Sequence, residues 1–196
     1  MQQLSEFLMT QKITALVNRY VITEPGGGGV VAFAEQKRFK LKEEITLWTG
    51  EDRSEVLGGF KARQVVDLGA TYDVTGPDGA SIGTFRKDAK ASLLRSTWHL
   101  TQGSEGEEPA VKGTERSLGI ALARRGWEVV DAVLPFPLPV PFVYHFDFVR
   151  DGGQPVMSVE RKIGFRDQYA IRIQHPALDR RLALCMAVAL DALQSR

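Results

Sequence analysis

The 196-residue sequence contains one cysteine, Cys185. An internal disulfide is therefore impossible, and a lone thiol suits a reducing compartment. Charge of one sign is also missing, since 25 Lys and Arg face 24 Asp and Glu for a formal net charge of +1. No global charge argues for nucleic acid or an anionic surface, so any such role needs a local patch. The terminal apolar run, LALCMAVAL at 182–190, is too short for a membrane. At about 1.5 Å per helical residue it spans about 13 Å, against roughly 30 Å of hydrocarbon. The opening stretch, MQQLSEFLMTQK, lacks the basic start and long apolar core of a signal peptide, and a cytoplasmic location is expected.

Catalytic motifs are equally scarce. His145 and Asp147 share a strand face but have no third metal ligand nearby, and no GxSxG is present. The same two side chains suit a solvated outer face opposite Tyr144, Phe146 and Phe148. The glycines at 26–29 lead into a strand and are not followed by GK[ST], which excludes a phosphate-cradling loop. His175 precedes Pro176 at the start of a helix, where packing or capping is its plain role. Cys185 sits inside the apolar run and reads as a small inert hydrophobe. A non-enzyme without metal or cofactor is expected.

What the sequence does contain is alternation. Tyr72 and Val74 alternate with Thr71, Asp73 and Thr75; Tyr169, Ile171 and Ile173 alternate with Ala170, Arg172 and Gln174. Period-two patterning of this kind makes half-buried strands. Further strands are expected at Tyr20–Thr23, Val30–Ala34, Ile45–Trp48, Ile82–Arg86, Thr97–Leu100 and Val156–Glu160. PGGGG at 25–29, PDG at 77–79 and RDGG at 150–153 supply turns between them, Asp-Gly being the strongest short-range hairpin signal. Nearly a dozen short strands imply an antiparallel sheet that becomes a sandwich or closes as a barrel.

Two helices interrupt the pattern: Glu115–Arg125, and a terminal helix over 176–195 with Asp179 near its start and Asp191 at a solvated end. Residues 102–114 read as an acidic mobile loop. Residues 134–141, LPFPLPVP, have proline at every second position and read as a rigid extended strap packed across the body, because Leu134, Phe136, Leu138 and Val140 supply too much apolar surface to leave wet. A ligand for a proline-reading partner is the alternative.

The strand units at 55–74, 81–100 and 155–171 resemble one another. In each, apolar residues lead to basic ones and then to a strand carrying Tyr72, Trp98 or Tyr169. A repeated hairpin is an economical way to close a barrel. It also gives a place to a helix that is apolar on every side, because a barrel lumen meets such a helix with side chains all round. Leu182, Leu184, Met186, Val188, Leu190 and Leu193, with Cys185 among them, form this axle. At roughly 1.5–3 kcal/mol each, the six larger side chains contribute on the order of 10–15 kcal/mol gross, an upper estimate.

YDVTGPDGASIGTFRK, the segment from YHFDF through GQPVMSVERKIGFRDQYAIRI, and the terminal DRRLALCMAVALDALQSR together resemble the LURP-one-related proteins of the tubby-like group, which includes the phospholipid scramblases. The resemblance runs from about Tyr20 to the end of a single domain spanning 1–196. It implies a mostly β fold: a closed antiparallel barrel of about twelve strands around a hydrophobic C-terminal helix. It also implies binding of phosphoinositide-type headgroups by exterior basic side chains. The candidate cations here are Lys61, Arg63, Arg86, Lys87, Arg161, Lys162 and Arg166, within a wider set that includes Lys37, Arg38, Lys40, Lys42 and Lys90. If repeated hairpins align these at strand ends, they form one rim able to grip a phosphate. The same charges also keep a barrel exterior soluble and its edges blunt. Two other functions fit such a barrel: a scaffold engaging a protein through 134–141, and a carrier of a small apolar ligand, which the axle would leave little room to hold.

Overall fold

A computed structural model describes residues 1–14, 16–37, 43–64, 69–93, 95–103, 111–117, 145–162 and 167–193. The strands are β1 (Glu6–Ile13), β2 (Val17–Thr23), β3 (Val30–Lys37), β4 (Glu44–Trp48), β5 (Val56–Ala62) and β6 (Thr71–Thr75). They continue as β7 (Ser81–Lys87), β8 (Thr97–Gln102), β9 (Val111–Glu115), β10 (His145–Val149), β11 (Pro155–Lys162) and β12 (Gln168–Ile173), and the helix α1 (Arg180–Ala192) follows. Each strand pairs antiparallel with its sequence neighbours, and β1 pairs with β12, so twelve strands close a barrel with no open edge.

Alternation decides which side chains face inward. Met9, Tyr20, Ala34, Leu47, Phe60, Val74, Phe85, Leu100, Phe146, Val159 and Ile171 point into the lumen and are at most 2% exposed. The lumen is filled by α1, in which every residue from Leu182 to Leu190 is at most 1% exposed. A helix with no polar face thus meets an apolar wall on all sides. The wall comes close: a Cβ at Gly83 of β7 would lie 3.1 Å from Leu182 Cδ2.

Both ends of α1 are fastened by polar groups. Asp179 is the N-cap, its Oδ1 accepting from the Arg181 backbone N–H at 2.8 Å and from Gln2 Nε2 at 2.9 Å. Gln102 Oε1 accepts from the Asp179 N–H at 2.7 Å. Arg180 is buried and donates to the carbonyls of Leu4 (2.9 Å), Pro176 (2.7 Å) and Leu178 (2.6 Å). At the other end Gln36 Nε2 donates to the Ala192 carbonyl at 3.2 Å, satisfying one of the last helical acceptors.

Several expectations shift. The terminal helix begins at Arg180, not 176, because the Asp179 cap and the preceding turn set its first bond; residues 194–196 lie outside the described set. Asp191 does not mark a solvated end: Tyr20 Oη donates to its Oδ2 at 2.9 Å and Tyr169 Oη to its Oδ1. Glu115 ends β9 and does not start a helix; 118–125 lie outside the described residues. Of the acidic loop expected over 102–114, Gln102 ends β8 and 111–114 are strand, and 104–110 lie outside the described residues. The strap at 134–141 and the side chain of Tyr144 lie outside the described residues.

Candidate functional site

The two ends of the barrel are distinct. The proximal end is where α1 starts, beside the strand termini Thr75, Gln102 and Ile173. The distal end is where odd-numbered strands from β1 to β11 finish and α1 ends. Lys61, Arg63, Arg86, Lys87, Arg161 and Lys162 all belong to the distal ends of β5, β7 and β11 or the residue just beyond. The repeated hairpin thus places like residues at like heights. It does not gather them into one cluster, because β5 and β11 are six strands apart in a barrel of twelve, on opposite sides. Arg166, Arg38, Lys40 and Lys42 lie outside the described residues.

The β5–β7 arc is the denser one. Thr71 of β6 lies between its two arginines: its carbonyl accepts from the Arg63 N–H at 2.9 Å, and it stands opposite Arg86 in the ladder. Two strand spacings, about 10 Å, therefore separate Arg63 from Arg86, a gap two long guanidinium side chains can close on one multivalent anion. Lys87 lies over the Trp98 ring, 5.9 Å from its centroid. Carboxylates are interleaved. Arg63 pairs with Asp73 at 2.9 Å and Lys61 with Glu44 at 3.6 Å, all four side chains more than 40% exposed. Exposed pairs of this kind are worth about 0–1 kcal/mol and exchange readily for a stronger anion. Arg86 is exposed and has no ion pair among the described residues.

A shallow groove of about 460 Å³ runs along the outside of β5, walled by Glu44, Lys61, Arg63 and Asp73. Its floor is bare backbone at Gly58 and Gly59. A Cβ at Gly59 would stand 2.7 Å from the Ile45 carbonyl oxygen, so the close β4–β5 approach requires glycine there. Lys61 and Arg63 are candidates in the sequence, whereas the floor is not, and the GG pair at 58–59 is the signal available for it.

On the opposite arc Arg161 is held by Asp167, and Lys162 is exposed. The histidines do not form a shared site. His99 Nε2 lies 3.2 Å from Asp88 Oδ2, and Asp88 is held below the usual carboxylate range chiefly by the Ala91 backbone N–H and then by His99. Among the described residues the side-chain hydrogen bonds of Asp147 go to Arg116, at 2.7 Å, and not to His145, and the Arg116–Asp147 pair lowers the carboxyl and raises the guanidinium. Glu160 completes the outer-face network with Arg116 at 3.1 Å and Arg172 at 2.7 Å. His175 Nε2 faces Arg150 at 3.1 Å. Burial pushes the Cys185 thiol far up, leaving it without thiolate character. Among the described residues no three His, Cys, Asp or Glu side chains are grouped to hold a metal, and no helix is long and apolar enough to cross a membrane.

A closed twelve-strand barrel wound round its own C-terminal helix, with basic side chains at one set of strand ends, defines a helix-centred β-barrel class of protein. A family model described as LURP-one-related matches residues 30–191, and the chain belongs to that family. No curated protein matches the chain.

Proposed function

We propose that this protein is a non-catalytic binding module of tubby-like type whose distal end meets anionic, phosphoinositide-type headgroups at a membrane surface. The observation that carries this reading is the arc formed by Lys61 of β5 and Arg63 just beyond it with Arg86 and Lys87 of β7, separated only by β6. Phosphate oxygens accept bidentate bonds from arginine and replace weak exposed carboxylate pairs without unfolding anything. The lumen is occupied by α1, which argues for an exterior binding surface over a carried apolar ligand.

Sedimentation with vesicles containing phosphatidylinositol phosphates, at low and moderate salt, tests the reading. Binding at low salt that falls steeply with salt is expected, together with its loss in K61A/R63A/R86A. Absence of binding at low salt ends the proposal.

A further inference from the structure

We infer that the β1–β2 hairpin tip is an apolar wedge that enters the interfacial layer of an anionic membrane when the distal end docks. Among the described residues the exposed large hydrophobic side chains are Ile13, Leu16, Val30 and Val56. The two most exposed, Ile13 at 60% and Leu16 at 70%, lie together at this tip. Isolated exposed hydrophobics need no explanation, but a pair on one turn marks a contact. The turn is built to hold them out. Thr14 Oγ1 donates to the Val17 carbonyl at 2.7 Å and accepts from the Val17 N–H at 3.2 Å, while the Thr14 N–H donates to the same carbonyl at 3.0 Å. A turn locked by its own threonine presents its apolar side chains with little further ordering cost.

Charge and position identify the occupant as a lipid surface. Lys12 stands opposite Arg19 at the base of the tip and is exposed; Arg19 pairs with Glu35 at 3.2 Å with its side chain 46% exposed. Lys162 reaches the same arc through Gln168 of β12, which faces Thr10 of β1. Apolar side chains flanked by Lys and Arg are the pattern that enters an anionic interface. This arc and the β5–β7 arc are on opposite sides of the same barrel end, so a small ligand or a peptide meets one arc only, whereas a plane laid across that end meets both. The inference rests on the membrane reading above and adds the element that penetrates.

The test compares the full chain with I13S/L16S on phosphatidylcholine vesicles with and without phosphatidylserine and phosphatidylinositol phosphates. At moderate salt, where the electrostatic share is screened, the double variant is expected to lose roughly tenfold or more in vesicle affinity. Its melting temperature should not change, because neither side chain is buried. Equal vesicle binding by the two proteins at both salts overturns the wedge and leaves the basic-arc reading standing. Failure of the unmodified protein to bind at low salt overturns both. Sedimentation showing self-association that the serine variant abolishes assigns the tip to a contact between copies and also overturns the wedge.

Discussion

Replacing Gly83 with alanine separates two contacts that the close fit of wall and axle makes. A Cβ there would stand 2.2 Å from the Thr101 carbonyl oxygen and 3.1 Å from Leu182 Cδ2. The first neighbour is backbone in the adjacent strand and cannot move without breaking the β7–β8 ladder, in which Gly83 opposes Gln102. The second is the end of a side chain and yields by a few tenths of an ångström. Forcing an extra carbon into such a site costs about 1–3 kcal/mol. Leu182→Ala alone, at a position with no exposure, costs about 2–5 kcal/mol through lost burial and the cavity left behind. Because the strand contact is the tighter, the double variant should be destabilised by nearly the sum, with a coupling below about 1 kcal/mol. Urea unfolding gives the free energies. Thermal melting gives a parallel shift of roughly 2–4 °C per kcal/mol for a chain of this size. Full rescue of Gly83→Ala by Leu182→Ala would place the constraint in the helix side chain and refute the reasoning.

Two further predictions concern the fastenings of α1. Burial raises the Asp191 carboxyl, against the hydrogen bonds from Tyr169 and Tyr20 that lower it. A folded-state pKa above the unfolded one contributes stability below the unfolded value that is lost as pH rises through the folded value. Asp191→Asn should therefore match the unmodified protein in acid and gain on it with rising pH, by about 1.4 kcal/mol per unit of pKa difference, until the folded pKa is passed. Asp147, Glu160 and Asp179, all lowered, contribute the opposite slope in acid but cancel in this comparison. Unfolding curves across pH that run parallel for the two proteins would remove Asp191 from the account. Arg180→Ala should cost on the order of 3 kcal/mol by urea titration, because the carbonyls of Leu4, Pro176 and Leu178 lose their donor. A change below about 0.5 kcal/mol would show that water replaces the guanidinium there.

The fold was legible where patterning is local and strong. Leu182–Leu190 has no polar position, and only an enclosed helix satisfies that. The turns PDG and RDGG with their flanking alternation located β6, β7, β10 and β11. Strands whose lumen side is polar or small were not found. In β1, Gln11 takes an inward position after Phe7 and Met9, and in β9 the inward series is Val111, Gly113 and Glu115, so neither shows apolar alternation. Gly113 is small because Phe148 fills its place, a Cβ there meeting that ring at 2.2 Å, and such compensation is invisible along the chain. Asp191 read as solvated because aspartate usually is; its two tyrosine partners are 171 and 22 residues away. The basic residues were found by type and their shared height by repetition. Their division into two arcs follows from strand order, which a linear sequence does not display.

Enclosure of α1 is the claim on which the rest stands, and the chain's one thiol reports on it directly. Cys185 lies mid-helix with no exposure and has a thiol kept protonated by burial. Under native conditions its labelling by a thiol-reactive disulfide reagent should be limited by unfolding of the barrel, accelerating with urea in step with the loss of stability. Labelling as fast as a free cysteine in the absence of denaturant would show that α1 lies outside the strands.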